Sequence, residues 1–430
     1  MAEALTTEEI AENAGLKFVG AGGGAVTGPL PLPTWYDPKN IGNPHFQPNQ
    51  NRIQAEAYQM SVENRVQKAS RDKVRIFRLH VDQQPDFTHP YTTVDPQTGE
   101  VTRYLPPFVR DQFPIPEWWQ EGINNVVWID GTFDPTKHDS VVSGRLSVAG
   151  AWNDTQRSVE FDMGNANCTT THGFTIDWHP FTARFDRHFY LARTNNPYGL
   201  PRGAHPQAFM DGPDQPFPII TPESLWHPVH NPKGWWQPIV TDKKYINETW
   251  EYVNALGVIV LWTKHCNRFT SGANLDPMVM ASAMHHNYMR GWLEAEPIWF
   301  TKGMSWRTEF FGVVEAEVTF DDDENAQPTF SVLQLFDGFP EQGIPPYHLV
   351  IIDGQAASQC VLQTMLQFIH HLELSGRDDV IRKIVYLMDC CSTIVGFEEA
   401  TEKALQELRD KGVQMTTTKE LKLHQLALAA

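Results

Sequence analysis

The segment HLVIIDGQAASQCVLQT, His348 to Thr364, holds an apolar run, then a cluster of small residues, then a cysteine with helix-forming residues behind it. The run reads as a buried strand, and CVLQTMLQFIHHLELSG reads as the helix that follows. A strand that feeds directly into a helix is one half of the unit from which parallel sheets are built. Cys360 stands at the junction. Free cysteine is among the most buried residue types, so by type alone Cys360 is a small core hydrophobe. Whether it is instead a thiol placed to attack something depends on what else reaches the same place.

Working outward, the same alternation recurs. KVRIFRLHVD, TTTHGFTID, GVIVLWT, PIWFTKG, HLVIID, KIVYLMD and GVQMTTT each look like a strand rich in β-branched or aromatic residues. Helical patterns lie between several of them: NDTQRSVEFDMGNAN, CVLQTMLQFIHHLELSG and GFEEATEKALQELRDKG. The expectation is an α/β fold of three layers, α/β/α, around a mostly parallel sheet, with its chemistry at the carboxyl ends of the strands.

Three stretches, at about 91–143, 181–243 and 320–346, break this rhythm with Pro, Gly, Trp and acidic residues. They read as insertions in one domain spanning 73–430. Their tryptophans, Trp118, Trp119, Trp226, Trp235 and Trp236, are expected to pack on the core or on a partner subunit, and a homo-oligomer is expected. Residues 1–72 read as an irregular arm, GAGGGAVTGPLPLP, and then a helix in NRIQAEAYQMSVENRVQKAS. GAGGGA satisfies the dinucleotide fingerprint literally. The helix that must open after it is forbidden by Thr27, Gly28, Pro29 and Pro31, so the stretch reads as a linker.

Composition narrows the partners. A formal net charge of −18 over 430 residues argues against phosphate backbones and anionic membranes, which would repel the chain at long range. No apolar run approaches a membrane-spanning length, and MAEALTTEEIAENAG is acidic and helix-like where a signal peptide is basic and then apolar, so a cytoplasmic location is expected. The five cysteines form no C-x-x-C pair, which leaves any metal to histidine and carboxylate ligands.

Four strand ends carry chemistry-bearing residues: HVDQQPDF, IDWHP, LWTKHCNRFTSGANLDP and FTKG. Together with DGQAASQCV, they form a set that resembles the cysteine hydrolase family of nicotinamidases and isochorismatases, in that family's motif order, from about Lys73 to Glu420 once the insertions are removed. D-W-H and W-x-x-H are similar to the metal-site motifs of the nicotinamidase branch. The long insertions and the arm are unlike the compact nicotinamidases. The resemblance implies an isochorismatase-like hydrolase fold.

It also implies roles. A thiol at neutral pH is mostly protonated, so a nucleophilic cysteine needs a base and a nearby cation, with a helix N-terminus as further help. By resemblance, Cys360 is the nucleophile, Asp82 the base, and Lys302 the cation that stabilises the thiolate and orients the base. The N–H groups of Ala356 and Cys360 form the oxyanion hole, beside a Gln355–Ala356 bond that is typically cis in the family. Asp130, in VVWIDGTFD, competes with Asp82 for the base. Asp82, Gln84, Asp86 and Phe87 fit the family's D-x-Q-x-D-F at every position, whereas Asp130 lacks the glutamine.

Phe87 and Trp262 would flank a flat ring, with Gln355 also against the substrate. The implied metal ligands are Asp177, His179 and His265, a carboxylate and two imidazoles that suit Zn²⁺ first and Mn²⁺ or Fe²⁺ next. His227 with His230, and His285 with His286, are decoy pairs away from core strand ends, and Cys266 should turn its side chain away from that of His265.

The implied activity is metal-dependent hydrolysis of a small aromatic amide to acid and ammonia through a thioester, nicotinamide being the first candidate. A metal-independent isochorismatase-like or carbamoyl/ureido hydrolase is the rival enzyme. An inactive binding or scaffolding homologue is the rival of another class.

Overall fold

The computed structural model describes residues 3–20, 29–43, 46–63, 74–88, 91–94, 101–104, 151–177, 189–193, 202, 219–260, 266, 273–290, 297–303, 305, 307–338, 345–394 and 397–429. In chain order the elements are α1 (Thr7–Asn13), β1 (Leu16–Phe18), α2 (Gln50–Glu63), β2 (Arg75–Val81), α3 (Pro85–Thr88) and the hairpin β3 (Tyr91–Val94) with β4 (Val101–Tyr104). Next come α4 (Ala151–Gly164), β5 (Thr169–Ile176), β6 (Phe189–Leu191), β7 (Ile219–Ile220), β8 (Trp236–Pro238), α5 (Lys243–Leu256) and β9 (Ile259–Val260). Then follow α6 (Pro277–Met289), β10 (Ile298–Thr301), α7 (Leu333–Asp337), β11 (Leu349–Gly354), α8 (Cys360–Leu374), β12 (Ile384–Leu387), α9 (Glu398–Asp410), β13 (Gln414–Thr416) and β14 (Leu426–Leu428). The stretch 21–28 of the glycine-rich arm, Asp130, Trp118 and Trp119 lie outside the described residues.

Six strands make one sheet in the order β10-β5-β2-β11-β12-β13, and every neighbouring pair is parallel. Counted along the chain this order is 3-2-1-4-5-6, the doubly wound arrangement, which reverses between β2 and β11 and leaves a crevice beyond their carboxyl ends. Strands in such a sheet are covered on both faces and so are apolar on both. On one face Phe77, Leu79 and Val81 of β2 pack with Val361, Met365, Phe368 and Ile369 of α8. On the other, Ile76 and Ile351 meet Phe161 of α4 and Ile10 of α1, while Phe174 of β5 meets Trp152 and Val159 of α4 and Met278 of α6. At roughly 1.5–3 kcal/mol for each fully buried side chain of this kind, the α8 residues alone fix that helix, and Cys360 at its first turn, against the sheet.

One expected strand has a different home. Of GVIVLWT, Ile259 and Val260 pair antiparallel with β7 rather than with the main sheet, and residues 261–265 lie outside the described ones. The reason is a separate small core in which Ile259 packs with Tyr245, Tyr252 and Val253 of α5, Ile220 and the fully buried Trp236. The N-terminal residues are stitched to the far edge of the domain. β1 pairs with β14, the Leu5 N–H donates to the Met415 carbonyl at 2.9 Å, and Ile10 and Ala11 share a core with Leu421 and Leu423. No helix among the described residues is long and apolar enough to cross a membrane.

Candidate active site

Three adjacent strands end in register. Asp82 directly follows β2, Asp177 follows β5, and Lys302 follows β10, whose last residue pairs with the last of β5. β11 lies on the other side of β2, with Gly354 opposite Val81, and the chain then turns through 355–359 into α8, whose first residue is Cys360. The turn has no room for a larger residue at its start. A Cβ on Gly354, at φ 129°, would lie 1.9 Å from the Val81 carbonyl oxygen. The Gln355–Ala356 bond is cis. Asp82 itself sits at φ 49°, the left-handed region that aspartate tolerates better than most residues.

The four side chains converge in a buried place. Asp82, Asp177 and Lys302 are fully buried and Cys360 is 5% exposed, and one ligand atom each of Asp82, Asp177 and Cys360 lie within 4.8 Å of one another. Lys302 Nζ contacts Asp82 Oδ2, stands 3.8 Å from Asp177 Oδ1 and donates to Cys360. Burial pushes the Asp82 carboxyl upward, against the Lys302 ammonium and the Thr175 hydroxyl, with Asp177 adding to the push. Burial also opposes the charge on Lys302, but Asp177, Asp82 and Cys360 hold its ammonium above the ordinary lysine value. For the touching Lys302–Asp82 pair the geometry supports the charged form of both, because the ammonium in contact offsets the buried carboxylate and Asp177 adds to the hold on the ammonium.

Burial pushes the Cys360 thiol well up, with Lys302 opposing. A base beside the thiol and a cation to hold the thiolate, as the resemblance implies, are what a sulfur buried in this way needs.

Phe87 on α3 packs with Ala356, Cys266, Ala151 and Ala273 beside this centre. Gln355 is fully buried, and its Nε2 donates to Asp154 Oδ2 at 3.1 Å. His179, His265 and Trp262 lie outside the described residues. Asp177 therefore carries the test of fit for a metal. Its fully buried carboxylate and that of Asp82 share one ammonium, a donor set short of positive charge that suits a divalent cation.

Two of the decoy histidines, His227 and His286, make structural hydrogen bonds. His227 Nδ1 accepts the N–H groups of Val229 and His230, its Nε2 meets Asn247 at 3.0 Å, and His286 Nε2 donates to the Cys168 carbonyl.

A second group, His80, Asp162 and His172, is compact enough to suggest a metal. Its geometry argues otherwise. The His80 and His172 rings lie 9° from parallel with centroids 5.3 Å apart, and His80 Nε2 is 3.0 Å from His172 Nδ1. The centroid separation exceeds the nitrogen separation by about the two ring radii, so the nitrogens face each other head-on. A metal between them needs about 2.0–2.1 Å to each, and the gap is too short. This is a hydrogen bond.

Sequence reading gave no role to three residues that hold the centre. Thr175 bonds Asp82 from β5. Gln84 Oε1 accepts the Asp177 N–H at 2.9 Å, while its Nε2 donates to the carbonyls of Ala273 at 2.6 Å and Asp177 at 3.3 Å, tying the turn after β2 to the end of β5. Asp154 holds Gln355. The available signal was spacing: Thr175 lies two residues before Asp177 on a strand, and so faces the same side.

No family model and no curated protein matches the chain. Among solved structures, it is similar to a nicotinamidase/pyrazinamidase of Acinetobacter baumanii, at 17% identity over 81% of this chain and 99% of that one, with a TM-score of 0.37. It is also similar to a yeast nicotinamidase bound to the inhibitor nicotinaldehyde, at 15% identity over 80% and 99%, with a TM-score of 0.34. A zinc complex of the Pyrococcus horikoshii pyrazinamidase matches at 14% identity over 80% of this chain and 99% of that one, with a TM-score of 0.33. At such scores the function of the chain has to be read from its own residues.

Proposed function

We propose that the protein is a cysteine hydrolase that cleaves a small amide through a thioester. The observation that carries this reading is the meeting of Asp82, Lys302 and Cys360 beyond the carboxyl ends of β2 and β10 and at the start of α8, next to the reversal in strand order. Asp82 takes the proton from the Cys360 thiol as sulfur attacks the amide carbonyl. Lys302 compensates the negative charge that moves onto sulfur. The N–H groups of Ala356 and Cys360 hold the carbonyl oxygen as it becomes an oxyanion. When the C–N bond breaks, Asp82 returns the proton to the leaving nitrogen, and ammonia departs. Asp82 then deprotonates a water that attacks the thioester, and Cys360 recovers its proton as the acid leaves. By resemblance Phe87 and Trp262 would flank a flat ring, which makes nicotinamide the first substrate to try.

Asp177, His179 and His265 would hold a divalent metal, zinc first and manganese or iron next, which when bound would anchor and polarise the substrate. Elemental analysis of purified protein should find about one transition metal per chain, and His265→Ala should lower it well below one while His227→Ala should not. Full activity in chelator with no stoichiometric metal would favour the metal-independent hydrolase.

The primary test is ammonia release across a panel of small amides. The wild type should turn over at least one, and Cys360→Ala none. Equal release by both proteins would end the amide reading.

A further inference from the structure

The two oxygens of Asp82 are asked to do different things. One must face the thiol and the Lys302 ammonium, and Oδ2 does contact Lys302. A carboxylate turns about its last torsion in a broad two-fold well, so a base held on one oxygen alone still sweeps its free lone pairs across the site. The second oxygen is where that freedom is removed.

Oδ1 accepts the hydroxyl proton of Thr175, and the same hydroxyl oxygen accepts the Asp82 N–H at 2.8 Å. One side chain thus grips both the carboxylate and the backbone of the residue in the left-handed conformation. A hydroxyl is suited to this because it donates once and accepts twice. Threonine adds a β-branched, stiff first torsion on a strand. Thr175 is fully buried in β5, one strand over from Asp82.

We propose that Thr175 is a positioning residue: its hydroxyl fixes the rotation of the Asp82 carboxylate, so that the oxygen shared with Lys302 is presented to Cys360. The inference deepens the hydrolase reading and rests on it for the role of Asp82. Its content is separate: the hydroxyl of Thr175, not its bulk, sets how well Asp82 serves the thiol. Misplacement of a reacting group by about 1 Å costs on the order of a hundredfold in rate, so loss of the hydroxyl should cost roughly ten- to a hundredfold.

The experiment compares Thr175→Val, which keeps the shape and removes the hydroxyl, with Thr175→Ser, which keeps the hydroxyl and removes the methyl. Two readouts are taken on the full chain: the rate at which iodoacetamide carbamidomethylates Cys360, read by peptide mass spectrometry, and kcat and KM for nicotinamide. Thr175→Val should slow Cys360 alkylation by about tenfold or more and lower kcat by a similar factor with KM within about twofold. Thr175→Ser should stay within about threefold of wild type in both.

A Thr175→Val protein that alkylates like the wild type overturns the proposal, and so does a Thr175→Ser protein as slow as Thr175→Val. Should Thr175→Val fail to fold, Thr175→Ala against Thr175→Ser supplies the same contrast. Alkylation needs no substrate. A wild type that alkylates at Cys360 but releases ammonia from no amide would reject the amidase reading, while the alkylation rates of the variants still decide the role of Thr175.

Discussion

Strands β2, β5 and β11 carry two buried polar clusters, and the two are built differently. Behind the sheet, on the side of α4, Arg78 donates to Asp162 Oδ1 at 2.8 Å and to Asp353 Oδ2 at 2.7 Å. His80 lies 3.3 Å from Asp162 and 3.1 Å from Asp353, and Ser158 donates to Asp353 at 2.5 Å. Burial, with His286, His80 and Arg78 nearby, holds the His172 pKa well below the ordinary value, so its neutral ring can take the His80 N–H. Each carboxylate in this cluster meets both Arg78 and His80. At the carboxyl ends, by contrast, two carboxylates and a thiol gather round the one ammonium of Lys302. The difference separates holding from acting. The first cluster closes on itself and locks helix to sheet, whereas the second keeps a deficit of positive charge where the sheet opens into a crevice.

The contrast breaks most sharply at Cys360. Cys360→Ala should reduce amide turnover on the order of 10⁴-fold or more and leave the thermal midpoint nearly unchanged, because only a sulfur is lost from a side chain at the edge of the core. A fall in stability without loss of turnover would mean that the cysteine belongs to the packing.

Arg78→Met tests the opposite behaviour. Removing the guanidinium leaves Asp162 and Asp353 buried with too little compensation, which should cost about 3–5 kcal/mol in urea-unfolding stability. The fraction still folded should alkylate Cys360 at a near-normal rate. If instead alkylation collapses while stability holds, the two clusters are one machine.

The effect at Asp154, which reaches from α4 to Gln355, is spread over pH. Burial raises its carboxyl to about 7, against hydrogen bonds from Ser392 and Gln355. A folded-state pKa above the unfolded value means that the native state holds the extra proton. The stabilisation is full below about pH 4 and fades as pH rises through 7. Over that window the stability slope carries up to roughly −1.4 kcal/mol per pH unit from this one proton. Asp154→Asn should flatten unfolding free energy against pH by that amount, and an unchanged slope would remove Asp154 from the account.

Much of the sheet was legible because apolar runs bounded by glycine or polar residues mark buried strands whatever their neighbours. Asp82, Asp177 and Lys302 could be singled out because each directly ends such a run. What periodicity does not carry is which sheet a run joins: GVIVLWT reads like the other strands, yet Ile259 and Val260 pair with β7 and Ile259 packs in the small core around Trp236. Nor does it reveal the polar cluster. Arg78 and His80 alternate with Phe77, Leu79 and Val81 and read as one face of β2, while the carboxylates that bury Arg78 lie 84 and 275 residues along the chain. Thr175 is hidden for a similar reason. Threonine is at home in any strand, and its tie to Asp82 exists only once β2 and β5 stand side by side.

The pairing of β1 with β14 bears on how the chain is made. Thr416 donates its hydroxyl to the Leu5 carbonyl across 411 residues, and Thr7 bonds Glu420 across 413. At translation rates of about 5–20 residues per second, residues 5–18 wait roughly 20–80 s on a growing chain before the segment that latches them leaves the ribosome. Until then Ile10 and Ala11 lack the part of their core that Leu421 and Leu423 supply. Glu8 and Glu9 in the first turn of α1 give that waiting segment a charged face of its own.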